Sequence, residues 1–313
     1  MKDLRESENG ILVLDAGDLL FKKYLNPVPE NALTGMAEKA HLIVESFNVM
    51  GYDALGIGDD DLTLGKEFLF EISRKANFPF LCSNLLDEAS GKTLFQTSLI
   101  KEINGLRIGL FSLLSPDFFT NPSDLRKKGL NFRSPIETAK AMVEELKPKT
   151  DLIILLSHLG YPKDIEVAQT VPGINLILGG HTGMNLPYPP VVKNTLILQT
   201  ASRGMFGGKL NLFSYNKEPI FYNSATRISL ENNLKRYNEG LSSERTPEVE
   251  RTQIRKAKEE TERTLKQLRG KNQFTNQIIS LHEQMREDPD IGKMIEAYKA
   301  KIQTKENPVI PKS

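Results

Sequence analysis

The chain has 313 residues, 39% of them hydrophobic and 26% charged, the balance of a soluble globular protein with one large domain or a domain plus an appendage. A net charge of +1 gives no one-sign field, which removes the electrostatic case for nucleic acid as a partner. A single cysteine, Cys82, excludes an internal disulfide, and no run reaches the ~20 apolar residues a membrane span requires.

The elements follow in chain order. Met1-Lys2-Asp3-Leu4-Arg5-Glu6 reads as the last turns of a helix, and the charged start carries no signal peptide. Ile11-Leu12-Val13-Leu14 is a short apolar run of the kind buried on both faces, and it breaks into Asp15-Ala16-Gly17-Asp18. A helix is expected from Ala37 to Met50, with Ala40, Ile43, Val44 and Phe47 at helical spacing and Gly51 as its left-handed cap. The next strand, Asp53 to Ile57, opens at Gly58 into Asp59-Asp60-Asp61. Cys82 lies in the apolar run Phe78 to Cys82 and reads as a small core residue.

Asn104-Gly105 between two strand runs is a strong hairpin signal. Pro135 starts a helix ending near Lys147, and Asp151 to Leu156 is a buried strand running into Ser157-His158. Ile174 to Leu178 repeats the pattern and ends in Gly179-Gly180-His181-Thr182-Gly183. Strands near 195–199 and 208–215 are expected to close this domain. The order of elements favours an α/β fold built on mixed sheets.

From about residue 229 the character changes. Ile254, Ala257, Thr261, Leu265 and Leu268 form a narrow apolar seam among Lys, Arg and Glu, which predicts a charged helical hairpin or short coiled coil. Further helices are expected to carry Ile278, Ile279 and Met285, then Met294, Ile295, Tyr298 and Ile302. The division expected is therefore 1–228, 229–306 and a linker-like tail at 307–313, with both ends cut from a longer chain. The seam packs on itself or on the main domain, or it receives a protein partner.

Four strand ends carry metal-compatible side chains: Asp18, Asp59, His158 and His181. In an open α/β sheet, sites form beyond the carboxyl ends of the strands, so the four can converge. Carboxylate plus imidazole suits Zn, Mn or Fe, ions that polarise a phosphoryl oxygen and acidify water. Taken singly, each aspartate is explained by a turn and His158 by a satisfied core position.

The blocks ILVLDAGD (11–18), GYDALGIGDDDL (51–62), FPFLCSN (78–84), LIILLSHLG (152–160) and INLILGGHTG (174–183) resemble, in order, those of the 5′-nucleotidase family of calcineurin-like metallophosphoesterases. Residues 194–212 resemble the strand pair that ends that domain. The resemblance covers about residues 10–215. It implies a four-layer α/β/β/α sandwich, here followed by a C-terminal helical extension, and a site for two metals. Asp18 would be the bridging carboxylate, Asp59 would stand where the family has an asparagine ligand, and His158 and His181 would complete the set. The resemblance also implies a phosphate monoester or nucleotide as substrate and a commonly periplasmic or exported location.

Two substitutions depart from the family's pattern. Asp60 replaces the histidine that assists phosphoryl transfer, and Gly183 replaces a ligating histidine. The family's Asp-x-His block has no counterpart ahead of Asp18, so one divalent ion is expected and not two. An ionised Asp60 ~4 Å from a phosphate charge would cost about 4 kcal/mol at an effective dielectric near 20. Two readings therefore stand: a phosphoric-monoester hydrolase on a degenerate site, or an inactive module that serves as a scaffold. Some relatives of this subgroup continue into multihaem cytochrome domains, although no Cys-x-x-Cys-His occurs here.

Overall fold

A computed structural model describes residues 1–306 except 9, 23, 25, 26, 202, 203 and 215. The expected tail at 307–313 lies outside the described residues. The chain divides into two compact units, residues 1–206 with 280 onward, and residues 207–279.

The first unit is layered as helix, sheet, sheet, helix. One sheet is parallel and three-stranded: Leu14–Asp15, Ala54–Gly56 and Phe80–Leu81. The other has six strands in the order Val191–Val192, Thr195–Leu198, Leu176–Gly179, Leu152–His158, Leu106–Leu114 and Ser98–Ile103. Its inner strands are parallel and its two edges antiparallel. The continuous apolar runs of the sequence are these parallel strands. Leu152–His158 is buried at every position because the three-stranded sheet covers one face and the helix-lined core the other.

Two cores separate the layers. Leu55, Ile57 and Phe80 pack with Ala40 and Val44 of the helix Glu30–Met50 and with Leu69 and Ile72 of the helix Gly65–Ser73. Phe111, Leu113, Ile153, Leu155 and Ile177 pack under the helices Pro135–Leu146 and Tyr161–Thr170. The alternation along Leu106–Leu114 sends Phe111 and Leu113 to that second core, as the period of two requires. Cys82 is fully buried, and burial pushes its thiol up to about 12, which makes it an inert core residue.

Local signals hold closely. Asn104 and Gly105 both adopt positive φ (51° and 77°) and join strands whose register runs from Ile103 opposite Leu106 to Ser98 opposite Phe111. Gly51 caps its helix at φ 71°. Ser134 caps the helix Pro135–Leu146 by accepting the Glu137 N–H. Ser134→Ala should lower stability by about 1 kcal/mol in urea denaturation; an unmoved midpoint would show that the cap contributes nothing.

The second unit differs from the all-helical extension expected. The hairpin exists, as Ser224–Ser242 packed on Glu248–Leu268, and Thr261 of the seam is buried. Ile278 and Ile279, however, lie in a strand, Asn272–Ser280, at the centre of a sheet between Phe206–Phe213 and Phe221–Asn223. The apolar spacing of Phe274, Ile278 and Ile279 fits a helix, but pairing with strands distant in sequence overrides it. The strand expected near 208–215 to close the first domain belongs to this sheet. The chain returns to the first unit after Ile279, and Pro289–Glu306 packs along Glu30–Met50, with Lys301 paired to Glu38 at 3.0 Å.

Candidate metal centre

Four parallel strands each deliver one polar side chain to the same end of the sheets. Asp18 follows Leu14–Asp15, Asp59 follows Ala54–Gly56, His158 ends Leu152–His158, and His181 follows Leu176–Gly179. One ligand atom from each lies within 4.8 Å of the others. His158 Nε2 is 3.2 Å from Asp18 Oδ2 and 3.1 Å from Asp59 Oδ1, and His181 Nδ1 is 3.1 Å from Asp59 Oδ1.

His158 is oriented by backbone. Its Nδ1 lies 2.8 Å from the Ala16 carbonyl, which can only accept, so Nδ1 carries a proton and Nε2 faces the carboxylates. Burial opposes a charge on this ring, but hydrogen bonds to Asp18 and Asp59, with their charges, outweigh it and hold the imidazole well above its ordinary value. Burial likewise pushes Asp59 up, yet hydrogen bonds from His158 and His181 carry it below the usual carboxylate range. The raised His158 imidazole thus faces both carboxylates through Nε2.

The backbone here is held in conformations that ordinary residues avoid. Asp18 and His181 both stand at positive φ, 60° and 65°. Asp61, fully buried, fastens the first of these by accepting the N–H groups of Asp18, Leu20 and Gly58, each at 2.9 Å. The ring of Phe118 stacks on His181 at 3.4 Å and 13°. Gly58 lets the elements meet: a Cβ there would stand 2.3 Å from the Asp18 nitrogen and 2.8 Å from His158 Cε1.

Asp60 lies beside the four. Its N–H donates to Asp18 Oδ1 at 2.8 Å, and its carboxylate accepts the Tyr24 N–H at 3.0 Å. Burial, then the charges of Asp18 and Asp59, push it up to about 6. Gly183 sits in the loop after His181 at φ 62° and has no side chain to present.

The residue missed in the sequence is Arg126. Its guanidinium is buried, with Nη1 at 2.6 Å from Asp59 Oδ2 and 2.9 Å from Asp60 Oδ1, and Nη2 at 2.8 Å from Asp124 Oδ2. Asp124-Leu125-Arg126 lies in a polar stretch that reads as a solvated loop, 66 residues from Asp60. The one local signal is Asp124, which caps the short turn Leu125–Lys127 and accepts from both the backbone and the side chain of Arg126. Phe118, from the same loop, was also missed.

No protein-family model matches the chain. The 5′-nucleotidase of Vibrio cholerae is 30% identical over 260 residues, 70% of this chain and 45% of that protein. The structure of a 5′-nucleotidase precursor from Thermus thermophilus superposes with a TM-score of 0.65 at 23% identity, covering 98% of this chain and 53% of that one. The calcineurin-like phosphoesterase YfkN of Bacillus subtilis gives 0.64 at 16% identity, covering 96% and 86%. The chain spans less than half the length of the curated relatives it matches. Likeness in sequence to the 5′-nucleotidases and likeness in fold to a 5′-nucleotidase precursor and a calcineurin-like phosphoesterase point the same way, and together they support the 5′-nucleotidase family.

Proposed function

We propose that the chain holds one divalent ion on Asp18, Asp59, His158 and His181 and hydrolyses phosphoric monoesters, nucleoside monophosphates among them. The convergence of those four side chains carries the reading. The donor set fits Zn, Mn or Fe: two carboxylates match the charge, and a backbone carbonyl turns His158 Nε2 inward. When bound, such an ion polarises a phosphoryl oxygen and acidifies the water beside it.

The protein's own groups set the approach. Asp59 and His158 form a buried floor, at 7% and 0% exposure, while Asp18 and His181 form a lip at 26% and 32%. A phosphate therefore arrives from the side of Asp18 and His181. Asp60 would repel it, but the Arg126 guanidinium 2.9 Å away offsets that charge. The nucleotide substrate is taken from the name of the relatives, 5′-nucleotidase. The exported compartment is taken from the family resemblance; among the described residues no helix is long and apolar enough to cross a membrane.

A second reading, an inactive module whose helical hairpin binds a protein partner, is favoured by Gly183, which offers no ligand atom. Metal analysis of the purified chain, with phosphate release from p-nitrophenyl phosphate and AMP, separates the two. About one ion per chain with ion-dependent turnover supports the hydrolase. No ion after reconstitution, and no turnover, leaves the module.

A further inference from the structure

Arg126 has the surroundings of a bound cation. It is 7% exposed, and three carboxylates from two separate segments close on it. Every one of its five N–H donors has an acceptor: Nε–H on Asp124, the Nη1 pair on Asp59 and Asp60, and the Nη2 pair on Asp124 and the Phe118 carbonyl. The rings of Tyr24 and Phe119 flank it, with centroids 4.5 and 5.1 Å from the guanidinium carbon. A group so fully engaged has no donor left for a substrate.

Asp59 is divided between two sets of partners. Oδ1 faces His158 and His181, and Oδ2 faces Arg126. The acidic cluster therefore has two lobes that share this carboxylate. One lobe is the four-residue ligand set, and the other, formed by Asp59, Asp60 and Asp124, is filled by the arginine.

We propose that Arg126 is a resident cation that occupies the second lobe and limits the centre to one divalent ion. The inference rests on the one-ion reading above. Its fixed charge balances Asp59 and Asp60 without a second ion, and it reserves Asp59 Oδ1 for the first lobe. Remove the charge, and three carboxylates with oxygens already drawn to one place become a divalent-cation site.

The test is Mn2+ binding to the whole chain, read as free Mn2+ by electron paramagnetic resonance, for the parent, Arg126→Met and Arg126→Lys. The parent should bind one equivalent. Arg126→Met should bind two, or bind the first at least tenfold more tightly, while Arg126→Lys, which keeps the charge, stays at one. A folded Arg126→Met that binds one equivalent at the parental affinity, or none, overturns the proposal. Should Arg126→Met be unfolded without metal, millimolar Mn2+ is expected to restore its circular dichroism and melting transition; failure to do so overturns it equally. A parent that binds no Mn2+, Zn2+ or Fe2+ overturns the one-ion reading itself, and the arginine proposal with it, which is a different result from an unresponsive variant.

Discussion

Asp18→Asn and His181→Ala should each bring bound metal from about one equivalent to background and cut phosphomonoester turnover about a thousandfold. The size follows from the role assigned to the ion. Polarising a phosphoryl oxygen contributes several kcal/mol to the transition state, and about 4 kcal/mol corresponds to roughly a thousandfold in rate. Asparagine is the substitution of choice at position 18 because Asp18 stands at φ 60°, a conformation Asn adopts far more readily than alanine. It removes the charge and leaves the turn, so a loss of metal is attributable to the ligand and not to a collapsed loop. His181 lies on the exposed lip and is stacked on Phe118 rather than buried in either core, so its truncation should cost no more than about 1–2 kcal/mol, that of placing alanine at φ 65°. Retention of metal and turnover in both variants would place the chemistry elsewhere.

The largest effect on stability is expected from Asp164, behind the site. The residue is fully buried at the start of the helix Tyr161–Thr170, where Oδ1 accepts the Ser157 hydroxyl. Its Oδ2 has no hydrogen-bond partner among the described residues and is packed so closely that a Cβ at Gly179 would stand 2.5 Å away. Burial raises this carboxyl to about 7 from 3.8, against the lowering effects of the Ser157 hydrogen bond and the His158 charge. The sign follows from linkage. The folded state holds the neutral acid more tightly than the unfolded chain does, so the contribution is complete below about 3.8 and is lost as pH rises through about 7. At about 1.4 kcal/mol for each pH unit between those values, the loss reaches about 4 kcal/mol by pH 8. Asp164→Asn cannot ionise. Its unfolding free energy in urea should gain on the parent's between pH 5 and pH 8.5 by about 3 kcal/mol, the part of that loss that falls between pH 5 and about 7. A constant difference between the two proteins across that range would show that Asp164 is not buried as a neutral acid.

Legibility in the sequence tracked the range of the interaction. The helix cap at Gly51, the Asn104-Gly105 turn and the helix start at Pro135 are settled within a few residues, and the sequence shows all three. The parallel strands are also legible, because burial on both faces leaves continuous apolar runs such as 152–156. From those runs the four strand-end residues follow, since a run that stops at a polar residue marks where the sheet's carboxyl edge lies. The strand Asn272–Ser280 is different. Its apolar spacing fits a helix, and only its neighbours at 206–213 and 221–223 make it a strand.

The sequence by itself determined the α/β class, the order of the buried strands, the polar side chains at their ends and the resemblance to the 5′-nucleotidases. The tertiary structure decided three things that composition and period do not encode. It drew the boundary between units at Gly207, because strand pairing across some 60 residues gathers 206–213 and 272–280 into one sheet. It turned Asp60 from a bare acid into one held by a guanidinium. And it carried Arg126 from a loop that reads as solvated into the acidic cluster, where three carboxylates taken out of water require a buried cation. Such a requirement belongs to the assembled site, where desolvation acts on all the charges at once, and no stretch of neighbouring residues records it.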